Sequence, residues 1–170
     1  MISKITGIIE QIDIDNSRLY LKTDFGISFV VYTINLKSLR NGDSIELFTI
    51  VLYREESHTI WGFKSSLLRD LFELLISVNG VGPKMAASLI EDVGYENILK
   101  GIMYGDWTLL KTSGIGQKLT KKIIEGLRDN KKLQSFIRNN DISVDNLFYK
   151  YENRVKIEEV KKAMLSLGYK

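Results

Sequence analysis

Two stretches of this 170-residue chain repeat one pattern of glycine and lysine. Asn79-Gly-Val-Gly-Pro-Lys-Met-Ala-Ala-Ser-Leu-Ile90 aligns without a gap on Ser113-Gly-Ile-Gly-Gln-Lys-Leu-Thr-Lys-Lys-Ile-Ile124, at an offset of 34 residues. Asn79 and Ser113 open the two copies, and Gly80, Gly82 and Lys84 coincide with Gly114, Gly116 and Lys118. Glycine permits positive φ and leaves the backbone bare, so successive N–H groups at the start of a following helix can converge on one anion, such as a phosphate. A lysine two residues past the second glycine can add a charge-assisted contact. The apolar residue between the glycines, Val81 or Ile115, would plug into the helix pair and stiffen the turn.

The second copy adds Lys121 and Lys122, so Lys118, Lys121 and Lys122 fall at i, i+3 and i+4 on one helical face while Leu119, Ile123 and Leu127 take the other. From Lys111 to Lys132 there are seven basic residues against Glu125 and Asp129, although the whole chain carries a net charge of only +3. Such a surface suits a grip on a nucleic-acid backbone without base reading. The plainer alternative is a tight inter-helix turn beside solvated lysines, and the recurrence of the pattern in register argues against it. Glu55 and Glu56 form an acidic turn of the opposite sign. As a magnesium site the pair is poor, because neighbouring side chains on a tight turn diverge and no further carboxylates accompany them; from residue types alone a solvated turn is the simpler reading.

Composition removes much else. With no cysteine there is no disulfide, thiolate zinc site or thiol nucleophile, and the single histidine, His58, leaves no multi-histidine metal site. There is no Gly-x-x-x-x-Gly-Lys-Ser/Thr phosphate loop, so no nucleotide-hydrolysing activity and no cofactor are expected. No apolar run approaches the ~18 residues of a membrane span, and the N-terminus lacks the apolar core of a signal peptide, which predicts a soluble, cytoplasmic protein.

The elements that must position the repeat change character at residue 65. Before it, five short runs alternate apolar with polar: Ile2 to Ile12, Arg18 to Lys22, Ser28 to Tyr32, Ser44 to Tyr53 and Thr59 to Phe63, separated by turn formers such as Asn41-Gly-Asp43. Five antiparallel strands in so short a span suit a small OB-type barrel, or else an open sheet capped by helices. From Ser65-Ser66, candidate N-caps, the period becomes helical through Leu67, Leu68, Leu71, Phe72, Leu75 and Ile76. Pro83 opens a helix at its first turn, where a missing N–H is harmless, and Glu96 to Tyr104 and Asp106 to Leu110 add short helices. The fold class is α+β and multidomain: a barrel over 1–64, an all-α unit with the two glycine hairpins over 65–132, a linker over 133–153, and over 154–170 a short helical remnant with Ile157, Val160, Met164 and Leu167 on one stripe.

The paired glycine segments resemble helix-hairpin-helix motifs. Together with Gly7-Ile-Ile, Arg54-Glu-Glu, Trp61-Gly-Phe63, Asn79-Gly-Val-Gly-Pro-Lys84 and Gly114-Ile-Gly116 in this order, residues 1 to about 130 resemble the RuvA family, the Holliday-junction-binding subunits of bacterial branch-migration complexes. The resemblance implies a non-catalytic subunit acting in recombination and DNA repair, a homotetramer or an octamer on DNA, and a concave face holding a four-way junction open and square-planar. It assigns backbone contacts to Gly80, Gly82, Lys84, Gly114, Gly116 and Lys118 by motif position, and it makes Glu55 and Glu56 an acidic pin at the crossover. Implied partners are junction DNA, a RuvB-type hexameric ATPase motor and a RuvC-type resolvase. The family's third domain is a three-helix unit that binds the motor, and the sequence here reaches only what resembles its first helix. Rival readings are a general duplex or single-strand binder, with Tyr20, Phe29 and Tyr32 as stacking platforms, and a helix-hairpin-helix nuclease or glycosylase.

Overall fold

The computed structural model describes residues 2–53, 57–128, 130–144, 155–162 and 164. Strands β1 (Lys4–Asp13), β2 (Arg18–Lys22), β3 (Ser28–Tyr32), β4 (Ser44–Tyr53) and β5 (His58–Phe63) close into a barrel in the order β1-β2-β3-β5-β4. Closure rests on β3 and β5, which pair in parallel through Val31 with Ile60 and Tyr32 with Trp61, while the other neighbours are antiparallel. The buried Thr33 hydroxyl donates to the Gly62 carbonyl at 2.7 Å and extends this seam. A register shift between Ile9 and Gln11 lets the long β1 bend from β4 to β2. Inside lie Ile5, Ile9, Leu19, Leu21, Val31, Leu36 and Leu47. Gly7 is required by close approach, since a Cβ there would stand 2.3 Å from the Lys22 carbonyl oxygen. At the β1–β2 turn, the Asn16 amide donates to both Asp13 carboxylate oxygens (3.1 and 2.9 Å), and this, helped by Arg18, holds the Asp13 carboxyl below its ordinary range.

The helical unit comprises α1 (Ser66–Ile76), α2 (Pro83–Val93), α3 (Tyr95–Tyr104), a 3-10 turn (Trp107–Leu110), α4 (Gln117–Leu127) and α5 (Lys131–Asn139). Ser65 caps α1 by accepting from the Leu68 amide at 3.3 Å, and Asp106 caps the 3-10 turn by accepting from Thr108 at 3.0 Å. The helix α5 occupies the beginning of the stretch read from sequence as a linker. Asn130 caps it (Lys132 N–H to Oδ1, 2.9 Å), and Leu133 and Phe136 are buried in the helical core. Three-residue spacing of two apolar side chains in a polar run suffices once α1 offers a surface. Residues 155–162 are helical, and Ile157 and Val160 there are exposed.

The barrel and the helices keep separate cores that meet at β5. β5 presents alternate residues to two interiors: Ile60 packs against the barrel core, and a Cβ on Gly62 would stand 2.7 Å from Val31 Cγ1, whereas Trp61 and Phe63 face the helices. Phe72 of α1 completes this junction, with ring centroids 5.1 Å from Trp61 and 4.9 Å from Phe63. A polar contact adds to it, as Glu91 of α2 accepts the Asn35 backbone N–H at 2.8 Å. Among the described residues no helix is long and apolar enough to cross a membrane.

Candidate nucleic-acid interface

The two glycine segments fold into the same local shape. The first glycine of each lies in the left-handed half of φ space (Gly80 +97°, Gly114 +81°), and the second is the extended N-cap of a helix (Gly82 φ −86°, ψ 164°; Gly116 φ −76°, ψ 158°). The backbone bonds match as well. Val81 N–H reaches the Val78 carbonyl at 3.0 Å and Ile115 N–H the Thr112 carbonyl at 3.3 Å; Ala86 and Thr120 then open their helices by donating to Gly82 and Gly116. Val81 and Ile115 are buried, as a plug between helices requires.

Around those plugs everything assigned to binding is exposed: Asn79, Gly80, Gly82 and Lys84 in the first hairpin, and Ser113, Gly114, Gly116, Lys118, Lys121 and Lys122 in the second. Among the described residues, a Cβ at Gly82, Gly114 or Gly116 would meet nothing within 4 Å. Glycine is therefore not demanded by the protein's own packing at Gly82 and Gly116, whose φ any residue can adopt. Open space over a helix N-terminus, with its positive dipole end, is what an approaching anion needs. Pro83 removes one amide from the first hairpin, where the second has Gln117.

Sequence spacing did not reveal how the hairpins meet. Lys122 Nζ lies 3.5 Å from where a Cβ of Gly80 would stand, so a lysine of α4 hangs over the first turn. A second link runs through Asp92 at the end of α2, which accepts from the Thr112 hydroxyl at 2.6 Å and the Ser88 hydroxyl at 3.2 Å. Short polar residues of this kind carry no periodic signal. Glu55 and Glu56 lie outside the described residues; β4 ends at Tyr53 and β5 begins at His58. The aromatic platform does not assemble: Phe29 shares the inward face of β3 with Val31, whereas Tyr20 and Tyr32 point outward, and Tyr32 stacks on Trp61 at 5.2 Å.

Residues 72–129 match the SAM-like helix-hairpin-helix tandem family. Over nearly the whole chain, the similarity is to proteins named Holliday junction branch migration complex subunit RuvA. The protein from Thermoanaerobacter sp. (strain X514) is 36% identical over 174 residues, covering 99% of this chain and 84% of the relative. This chain belongs to the RuvA family. The RuvA protein of Microcystis aeruginosa is 32% identical across 99% of this chain and 83% of its own, and that of Marinomonas sp. (strain MWYL1) 35% identical across 76% and 64%. In RuvA terms the expected fold class holds, an α+β chain with an N-terminal five-stranded barrel followed by helix-hairpin-helix units.

Proposed function

We propose that this chain is the non-catalytic, junction-recognising subunit of a branch-migration machine in the cytoplasm, acting in recombination and repair. The observation that carries the reading is the duplicated hairpin: two helix N-termini with matching glycine dihedrals, open space above the second glycine, and lysines on the exposed side. Each hairpin grips one stretch of phosphate backbone. Gly80, Gly82, Gly114 and Gly116 admit the phosphates to the amides, and Lys84, Lys118, Lys121 and Lys122 supply charge. Contacts of this kind fix position on DNA without reading sequence, which suits a partner defined by its branching.

In this reading four copies present eight hairpins to the four arms of a junction held open and square-planar. Glu55 and Glu56 form a central pin that repels phosphates at the crossover, and a RuvB-type motor supplies the ATP hydrolysis that this chain does not carry out. A repulsive centre ringed by attractive hairpins penalises an unbranched duplex more than a junction, because discrimination is a difference of affinities. The test compares binding of a four-way junction, a linear duplex and a single strand at several salt concentrations, using the full chain and the Lys84→Ala, Lys118→Ala variant. The junction is expected to bind tightest, and the variant to lose ~0.9 from the log–log salt slope for each phosphate contact removed. Equal affinities for the three DNAs, or an unchanged slope, would refute the assignment.

A further inference from the structure

A groove of about 400 Å³ lies between the barrel and the first hairpin, bordered by Tyr32, Ser57, Thr59 and Trp61 on one side and Gly82, Pro83, Lys84 and Met85 on the other. Trp61 is sandwiched, stacked at 5.2 Å on Tyr32 and at 5.1 Å on Phe72, so both faces of its indole are covered. Its indole N–H is buried and has no hydrogen-bond partner among the described residues, in a residue only 4% exposed. A buried donor left unpaired is destabilising, and native proteins rarely keep one without a use. The indole donates and cannot accept, so its partner must bring an acceptor.

The rest of the lining narrows the chemistry. Tyr32, Met85 and Pro83 offer apolar and flat surface, Ser57 and Thr59 offer hydroxyls, and Lys84 stands exposed at the rim beside the open backbone of Gly82. A flat ring with carbonyl or ring-nitrogen acceptors, joined to an anion that can lie on Lys84 and the start of α2, fits this set. We propose that the groove holds one unpaired nucleotide of the bound DNA, its base edge accepting from Trp61 and its 5′ or 3′ phosphate on the first hairpin. Bases of intact duplex keep their faces stacked and their edges paired, so the site takes only a base freed by strand separation. The proposal rests on the DNA-binding reading above, and adds to phosphate grip a contact that recognises the unpaired state.

The experiment uses the full chain with two four-way junctions, one fully paired and one carrying a single extra thymidine at the crossover. Wild type is expected to bind the second roughly tenfold tighter, the scale of one well-stacked base. Trp61→Phe, which keeps a ring and removes the N–H, and Thr59→Val, which keeps shape and removes a hydroxyl, should shrink that ratio while leaving affinity for the paired junction close to wild type. The variants answer independently should one fail to fold. Replacing the extra thymidine by 4-thiothymidine and irradiating should cross-link it to Tyr32, Trp61 or Met85. A wild-type ratio of one, or cross-links confined to the second hairpin, would overturn the pocket even though the junction binds. Failure to prefer any junction over duplex would instead overturn the reading on which the pocket rests.

Discussion

The two glycines of each hairpin do different work, and single alanine substitutions in the second hairpin separate them. Gly114 has φ +81°, a conformation that opposes a Cβ in an L residue by about 1–2 kcal/mol, so Gly114→Ala should destabilise the fold by that amount. For a chain of this size, that is a fall of roughly 2–8 °C in Tm. Gly116 has φ −76° and open space where a Cβ would go. Alanine is a poorer N-cap than glycine by a few tenths of a kcal/mol or somewhat more, and it restricts the unfolded chain by about 0.4–1 kcal/mol in the opposite direction. The two nearly cancel, so Gly116→Ala should leave Tm within about 2 °C of wild type. Its methyl group, however, occupies the space through which a phosphate reaches the α4 amides. Junction binding by Gly116→Ala should therefore weaken, with the salt slope falling by ~0.9 for the lost contact. Thermal melts and salt titrations on the same three proteins decide the matter. If Gly114→Ala melts with wild type, the turn is not what restricts that position; if Gly116→Ala binds with unchanged affinity and slope, no phosphate sits above that helix.

Phe72→Ala should destabilise the chain by about 3–5 kcal/mol, since Phe72 is fully buried against Trp61 and Phe63, and far-ultraviolet and tryptophan signals should still report one coincident unfolding transition. Separate transitions would show that the barrel and helices do not share their stability. Glu55→Gln with Glu56→Gln should tighten binding to linear duplex more than to junction, and an unchanged ratio of the two affinities would remove the pin from the reading. Asp13, lowered by Asn16 and Arg18, favours the fold above the ordinary carboxylate pKa of about 3.9, and this contribution disappears as pH falls through the lowered folded value. Asp13→Asn should accordingly have a lower urea midpoint at pH 7, a gap that closes as acid protonates wild type; a gap constant with pH would contradict it.

Much of this was legible because local rules and tertiary packing agree. Alternation in Arg18–Lys22 and Ser28–Tyr32 announces strands, Ser65 a helix start, and Pro83 after Gly82 another. The repeated Gly-x-Gly-x-Lys gave both hairpins, since the turn depends on residues within a few positions of one another. What depends on distant partners was hidden. In β5, Trp61, Gly62 and Phe63 are all buried because the strand lies between two interiors, and no alternation rule distinguishes that from one covered face. From sequence alone α5 looks like linker, because its two core residues gain their burial by packing on the distant α1. The meeting of Lys122 with Gly80 and the burial of a Trp61 N–H that has no partner among the described residues are likewise products of assembly, with no signature along the chain.

The double role of β5 has a consequence for biosynthesis. As the chain leaves the ribosome, β1 to β4 emerge first, but the barrel stays open until β5 arrives to join β3 to β4. Even then the strand brings out Trp61 and Phe63 as bare aromatic surface, and they remain so until Phe72 and the rest of α1 follow. A nascent chain paused before β5 carries unpaired strand edges, and one paused before α1 carries an apolar patch; either draws chaperones or aggregates. A fragment ending at Lys64 should therefore precipitate or bind a hydrophobic dye, whereas one extended through Ile76 should gain solubility as α1 covers the patch.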